Sequence, residues 1–238
     1  MTFNPYRPVT DTARAESRTM DLALRHYMLR VYNLMAGGLG LTGVVAVAAV
    51  ASGFYQSIAA TPLIWVVMLA PLAVVFFMSF RSERMSAGAA HAAFWAFAAT
   101  MGLSIAGIFL VYTGTSIARV FFITAATFGA MSLYGYTTGR DLSGFGPFLL
   151  MGLIGIVLAA LVNILLASSA LQFVISAVGA LVFTGLTAYD TQRIKEVYLT
   201  NDAGDTLDKK SILGALTLYL DFINLFMALL QLTGQKRD

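Results

Sequence analysis

The sequence predicts an all-α integral membrane protein with seven transmembrane helices. Of its 238 residues, 58% are hydrophobic and only 11% are charged, and seven apolar runs approach the length that a bilayer requires. A typical soluble domain carries about 25% charged residues, and a membrane-spanning helix needs about 20 predominantly apolar residues. Because the chain has no cysteine, disulfides and cysteine-ligated metals are excluded.

Short polar or glycine-containing segments separate the seven runs. We expect helices at about 31–54, 60–80, 88–112, 117–137, 145–167, 170–190 and 212–233. The connection from Thr191 to Ser211 is long and polar, and we expect it to extend the sixth helix by a turn or two before it becomes a solvated loop. Residues 31–233 therefore form one membrane domain, followed by a short tail at 234–238.

Residues 1–30 are polar and charged and lack the apolar core of a cleaved secretory signal. Between Ala13 and Arg30, apolar and charged residues mix at helical spacing, which is typical of a helix at a membrane surface. We interpret residues 1–30 as a cytoplasmic tail with an interfacial helix.

The cations indicate an orientation for the chain. With the N-terminus in the cytoplasm, only Arg119, Lys236 and Arg237 of the fifteen Lys and Arg residues fall on the opposite side, and the other twelve are cytoplasmic. That bias follows the positive-inside rule. The net charge of +3 is therefore explained by topology, and we expect the bilayer as partner and no nucleic acid.

The last apolar run carries an acid, Asp221, near its middle. Insertion scales put the cost of such an acid at roughly 2.5–3.5 kcal/mol, so it is expected to face a partner or a water-filled cavity. Polar and small residues recur at spacings of three and four, at Gly214, Thr217, Asp221, Asn224, Ala228 and Gln231. This spacing places them along one face of a helix. The rest of the helix is apolar, which suits a central position in a bundle.

Asp190, near the end of the sixth run, is the candidate partner because the other acids fall in loops or at the chain ends. Two neighbouring carboxyl groups in a low-dielectric site cannot both ionise cheaply, so they titrate as a unit. Such a pair can sense pH and attract a hard cation. In the alternative, Asp190 forms an ordinary ion pair with Arg193, three residues further along the same helix.

Two segments that contain these acids resemble a known family. GLTAYDTQRIKEVY (185–198) and LYLDFINLF (218–226) are similar to the signatures of the Bax inhibitor-1, or transmembrane BAX inhibitor motif, family in its bacterial branch. SFRSERMS (79–86) and GRDLSGFGPFL (139–149) resemble loops of that family. The resemblance implies a seven-helix protein of the bacterial inner membrane, not an enzyme, with its last helix at the centre.

The resemblance also implies a function and residue roles. Bacterial members are described as pH-sensitive calcium leaks, with a pair of aspartates near the cytoplasmic end of the pore and an arginine latch. Matched residue by residue, the aspartates are Asp190 and Asp221, and the arginine is Arg81. The alternative for Arg81 is a cation that anchors the second helix at the membrane interface.

Other seven-helix functions fit the residues poorly. A retinal protein needs a lysine within its last helix, whereas all four lysines lie outside the predicted helices. A zinc hydrolase would want several histidines, and the chain has only His26 and His91. No GxSxG motif occurs. The remaining alternative is a modulator of partner proteins, such as a protease or stress and cell-death machinery, but such a scaffold has no need for a buried acid at Asp221.

Overall fold

The computed structural model of the protein describes residues 7–81, 84–198 and 204–237. Long helices make up most of this part of the chain: α1 Arg7–Ala51, α2 Leu63–Arg81, α3 Ala87–Ile105, α4 Gly114–Thr137, α5 Gly146–Leu166, α6 Ser169–Val197 and α7 Asp205–Thr233. Short helices at Phe54–Ala59 and Ile108–Val111 and a 3₁₀ turn at Ser143–Phe145 connect them. Seven helices of the described residues are long and apolar enough to span a membrane. The predicted fold class is confirmed.

The helix bounds differ from the sequence prediction at two places. The expected interfacial helix is continuous with the first span, because α1 runs unbroken from Arg7 to Ala51; residues 1–6 lie outside the described residues. The last helix begins at Asp205 rather than near 212, with Asp205 and Asp208 in its first turn. Acids there interact favourably with the positive end of the helix dipole. As expected, α6 continues beyond 190, to Val197.

Local signals in the sequence account for several helix starts. Ser86, Thr113 and Ser168 precede α3, α4 and α6, and each side chain accepts a hydrogen bond from a backbone N–H in the first turn. Such caps satisfy donors that have no partner within the helix. Pro147 occupies the first turn of α5, where its missing N–H costs nothing.

The central helix of the bundle is α7. It packs against α1, α3, α4 and α6, while α2 lies outside on α3 and α5 lies outside on α6. In its most apolar window 67% of the residues are buried, compared with 6–33% for the other six spans. Tyr219 is fully buried, and its ring meets the rings of Phe97 and Phe94 edge-on, with centroids 5.1 and 6.4 Å apart. The predicted central position is confirmed.

Polar contacts fix both ends of α7. At the end of the bundle where α2 and α6 end and α3, α5 and α7 begin, which we call the cation-rich face, Arg30 forms an ion pair with Asp208. There the backbone N–H of Ala87 also donates to Asp205 over 2.9 Å. At the other end, the N–H of Thr113 donates to the carbonyl of Gln235 over 3.0 Å. The central helix is thus tied to α1 and to the starts of α3 and α4.

Close contact between α4 and α6 depends on Gly135. A Cβ added there would lie 2.2 Å from the carbonyl oxygen of Ala188, and backbone cannot yield as a flexible side chain can.

We expect Gly135→Ala to lower the free energy of unfolding by about 1–3 kcal/mol, measured by thermal unfolding of the purified chain. Gly155→Ala is the control, because nothing lies within 4 Å of its added Cβ. Equal melting temperatures for the two variants would contradict this account.

The orientation inferred from the cations is a further prediction. Ser57 and Thr206 are exposed at opposite ends of the bundle, and the chain has no native cysteine. With the cation-rich face in the cytoplasm, a membrane-impermeant thiol reagent should label Ser57→Cys in intact cells. Thr206→Cys should be labelled only after permeabilisation. Labelling of Thr206→Cys alone in intact cells would reverse the orientation.

Candidate functional site: an aspartate pair between two helices

The structure brings Asp190 and Asp221 together at the interface between α6 and α7. Asp221 lies near the middle of α7 and is 5% exposed, whereas Asp190 is half-buried near the end of α6. The two carboxyl groups are close enough for a hydrogen bond and for direct electrostatic interaction. Since a carboxylate has only acceptor oxygens, a hydrogen bond between two carboxyl groups requires a proton on one of them. The contact between the two side chains therefore depends on the protonation of the carboxyl groups.

Apart from Asp190, the buried carboxyl group of Asp221 has no hydrogen-bond partner within the part of the chain that the structure describes. No N–H or hydroxyl group there donates to its buried Oδ2 atom. An unsatisfied buried polar atom costs roughly 1–3 kcal/mol, or more if charged. Native structures contain few such atoms, and each requires an explanation. Neither packing nor the hydrogen bonds of the bundle explain the carboxyl group at this position.

Arg193 is the cation that acts electrostatically on Asp190. Its side chain is exposed, and among the described residues no ion pair within 4 Å joins it to Asp190. Asp190 therefore contacts a second acid and also interacts electrostatically with the solvated cation of Arg193. It combines features of both interpretations of the sequence, the pair with Asp221 and the ion pair with Arg193. Arg193 can stabilise a single negative charge shared by the pair.

Arg81 lies away from the aspartate pair in this conformation. It is the last residue of α2, its side chain is exposed, and its guanidinium carbon lies 5.8 Å from the centroid of the Phe77 ring. This placement matches a cation that anchors the end of a membrane helix. The latch between Arg81 and an aspartate stays a prediction, for a conformation other than this one.

The polar stripe of α7 divides into two edges. Gly214, Asp221 and Ala228 are buried, and a Cβ added at Gly179 of α6 would lie 3.6 Å from the Ala228 Cβ. The predicted stripe residues Thr217, Asn224 and Gln231 lie on a less covered edge: Thr217 is half-buried and the other two are exposed. The acid thus lies against α6, with polar side chains alongside it.

Sequence analysis did not identify a polar cluster at the end of the bundle away from the cation-rich face. Asn163 of α5 donates to Gln172 of α6 over 3.0 Å, and Gln172 donates to Gln231 of α7 over 2.6 Å. The hydroxyl of Ser176 donates to the same Gln231 oxygen over 2.8 Å. Asn163 and Gln172 are polar residues inside apolar runs, and this feature of the sequence could have indicated the cluster. The cluster ties α5, α6 and α7 together at this end.

A second network missed by the sequence analysis lies close to the aspartates in the chain. The hydroxyls of Tyr32 and Ser132 are 2.7 Å apart, and those of Ser132 and Thr191 are 2.9 Å apart. Thr191 also donates to the carbonyl of Thr187 over 2.7 Å. This network links α1, α4 and α6 next to Asp190, so the position of that end of α6 is set by two neighbouring helices.

The pair fits weak, transient binding of a calcium ion better than tight binding. Carboxylate oxygens are ligands that Ca²⁺ prefers, but a stable site supplies six to eight oxygens. Two carboxyl groups offer at most four. Across the described ranges, no group of three or more His, Cys, Asp or Glu side chains is arranged to hold a metal.

Comparison with known proteins establishes the family. A family model described as "Inhibitor of apoptosis-promoting Bax1" matches residues 24–238. The chain belongs to the Bax inhibitor-1 family. The match covers both aspartates and all seven spans, and it begins near the end of the N-terminal tail.

Relatives of this family member share nearly its whole length. The inner membrane protein YbhL of Escherichia coli K12 is 50% identical over 218 residues, which cover 90% of this chain and 93% of the relative. An uncharacterized protein of Rickettsia prowazekii is 48% identical and covers 96% of this chain and 98% of its own. An uncharacterized membrane protein of Streptococcus pyogenes is 33% identical, with coverages of 91% and 95%. With its seven spans, this chain is an integral, multi-pass membrane protein.

If Asp221 is present for function, the fold should not depend on its carboxyl group. We expect Asp221→Leu to keep or raise the thermal unfolding midpoint, because the substitution removes an unsatisfied buried oxygen and replaces it with an apolar group of similar size. Leu218→Ala provides the comparison: Leu218 is fully buried in the same helix, and its truncation should cost about 2–5 kcal/mol. Destabilisation of Asp221→Leu as large as that of Leu218→Ala would show that the acid is structural.

Proposed function

We propose that this Bax inhibitor-1 family member is a pH-sensitive calcium leak of the bacterial inner membrane. The observation that carries the proposal is the buried carboxyl group of Asp221, which lies against Asp190 and receives no hydrogen bond from an N–H or hydroxyl group of the described residues at its Oδ2 atom. A buried acid in a membrane helix marks an ion or proton pathway by default. The inner-membrane location rests on the named location of the Escherichia coli relative.

Gating follows from the shared proton. Loss of this proton leaves two adjacent carboxylates, which repel each other strongly at low dielectric. Gain of a second proton removes the negative charge on which Arg193 acts. Either change alters the contact between α6 and α7, so the opening of this end of the bundle depends on pH. The pair titrates as a unit rather than as two separate acids.

The less covered edge of α7 supplies a route for the cation. Asn224 follows Asp221 by three residues, and its side chain is exposed. Its amide oxygen is a hard ligand of the kind that Ca²⁺ accepts. A calcium ion that displaces the proton between Asp190 and Asp221 would leave along this edge. Ca²⁺ and H⁺ therefore compete for the same pair of oxygens.

Arg81 has a place in this mechanism as a latch in a second conformation. Its side chain is exposed at the end of α2 on the cation-rich face, and α2 packs on α3 at the periphery of the bundle. A peripheral helix can shift without breaking the contacts of α7. Such a shift would bring the guanidinium towards an ionised aspartate, which it would neutralise.

Calcium flux into vesicles that contain the purified chain tests the proposal. We expect wild-type flux to depend on pH, and Asp190→Asn and Asp221→Asn each to flatten that dependence, because asparagine keeps the shape but cannot ionise. The double variant should add little to either single variant, since both remove the same coupled unit. Asp141→Asn is the matched control: Asp141 lies in the exposed connection before α5 and its carboxylate accepts a hydrogen bond from the Ser143 N–H.

Two results of this experiment would reject the mechanism. Single variants with the wild-type pH profile, or effects that simply add, would show that the acids act independently. Folded wild-type protein without any calcium flux would favour the alternative function, a membrane-embedded modulator of partner proteins.

A further inference from the structure

A furrow runs between α1 and α4 on the side of the bundle where these two helices stand apart. Cavities of about 680 Å³ and 470 Å³ lie end to end along it and share the lining residues Met35, Ala36 and Phe128. We call both together the α1–α4 furrow. The ring of Phe222 from α7 lines its deeper part, so the furrow reaches from the surface of the bundle to the central helix.

Away from its end at Arg25 and Tyr136, the furrow is lined by apolar groups and by hydroxyl groups that are already paired. Tyr32 and Ser132 line it, but their oxygens bond to each other over 2.7 Å, and Ser132 bonds onward to Thr191. An occupant therefore finds no unpaired polar side chain along the walls beyond that end. A saturated or unsaturated hydrocarbon chain satisfies this requirement, whereas a polar molecule would lose its hydration without compensation.

Part of the furrow is space that the described side chains do not fill. Gly129 lines the larger cavity, and Gly40 and Gly43 line the smaller one. No heavy atom lies within 4 Å of a Cβ added at any of them. By contrast, a Cβ added at Gly38 of the same helix would come within 2.8 Å of Phe94. The furrow glycines border unfilled volume.

A positive charge marks the end of the furrow at the cation-rich face. Arg25 lines the larger cavity there with an exposed side chain. Lys195 lies behind the same end, where its Nζ donates to the carbonyl of Tyr136 over 2.9 Å and sits 5.7 Å from the Tyr136 ring centroid. Tyr136 also lines the cavity. Two cations beside the mouth of an apolar furrow are complementary to a phosphate that carries a hydrocarbon chain.

We propose that the α1–α4 furrow binds an anionic phospholipid of the adjoining leaflet, with one acyl chain in the furrow and its phosphate at Arg25. From Arg25 to Ala36, the larger cavity follows α1 for eleven residues, or about 16 Å. This is close to half of the roughly 30 Å hydrocarbon core, which is the depth of one leaflet.

A transmembrane helix from a second copy or another protein is a poorer fit. The two cavities together follow α1 from Arg25 to Gly43, eighteen residues or about 27 Å. With side chains a helix is about 10–12 Å across, so that length of it displaces on the order of 2,000–3,000 Å³. This exceeds the 680 Å³ and 470 Å³ of the two cavities.

Native mass spectrometry of the purified full-length chain, titrated with phosphatidylglycerol or phosphatidylcholine, tests the proposal. We expect wild-type protein to retain one phosphatidylglycerol at a lower lipid concentration than phosphatidylcholine. Arg25→Gln should reduce that preference about fivefold, the factor expected for one arginine at an anionic headgroup. Arg84→Gln, an exposed arginine on the same face outside the furrow, should leave it unchanged.

A substitution that fills the furrow distinguishes binding of the lipid acyl chain from binding of the lipid headgroup. Gly129→Leu should weaken retention of both lipids, whereas Gly155→Leu on α5, where the added Cβ also meets open space, should retain them as wild type does. Circular dichroism and the unfolding midpoint report whether each variant is folded. Equal retention of both lipids by folded wild type and all variants would overturn the proposal. So would a dimer that Gly129→Leu disrupts, because the occupant would then be a second copy.

Discussion

The packing of one acid, Asp221, against another, Asp190, inside a membrane bundle is the constraint on which the proposed function depends. Two carboxyl groups in a low-dielectric site cannot both ionise cheaply, and an acid in a membrane is expected to face a partner or a water-filled cavity. Burial of α7 among α1, α3, α4 and α6 provides the low-dielectric surroundings. The close approach of Gly135 to Ala188 and the Tyr32–Ser132–Thr191 network hold the adjoining part of α6 in place. The pair is thus positioned by four helices although it belongs to only two.

Different interactions hold the two ends of the α6–α7 interface. Near the cation-rich face the interface contains the aspartates, whose attraction depends on one proton. At the other end it contains the amide and hydroxyl groups of Gln172, Ser176 and Gln231, which do not titrate in the physiological range. A change of pH therefore acts on one end of the interface while hydrogen bonds hold the other. The proposed pH-dependent gating rests on this asymmetry and on the burial of Asp221.

Features that depend on composition and helical spacing could be predicted from the sequence. The lengths of the apolar runs predicted the transmembrane helices. The narrow polar stripe on an otherwise apolar helix predicted the central position of α7. The pairing of Asp190 with Asp221 followed from elimination of the other acids and from the family signatures. The separation of Thr217, Asn224 and Gln231 from the buried edge could not be predicted, because it depends on how far α6 and α3 cover α7. The clusters around Gln172 and Ser132 were missed for the same reason: their members lie on different helices at unrelated positions in the chain. The furrow between α1 and α4 could not be predicted either, because it is unfilled space between two helices and no spacing of residues in the sequence indicates such space.

Infrared difference spectroscopy of the full chain in lipid vesicles, titrated with pH, tests the shared proton most directly. The C=O stretch of a protonated carboxyl group is separate from the bands of ionised carboxylates, so it reports a proton held by the pair. We predict that the wild-type protein shows this band at neutral pH, that Asp221→Asn lacks it, and that Asp141→Asn, an exposed loop variant, retains it. A wild-type spectrum without the band at neutral pH, or one that Asp221→Asn leaves unchanged, would contradict the account.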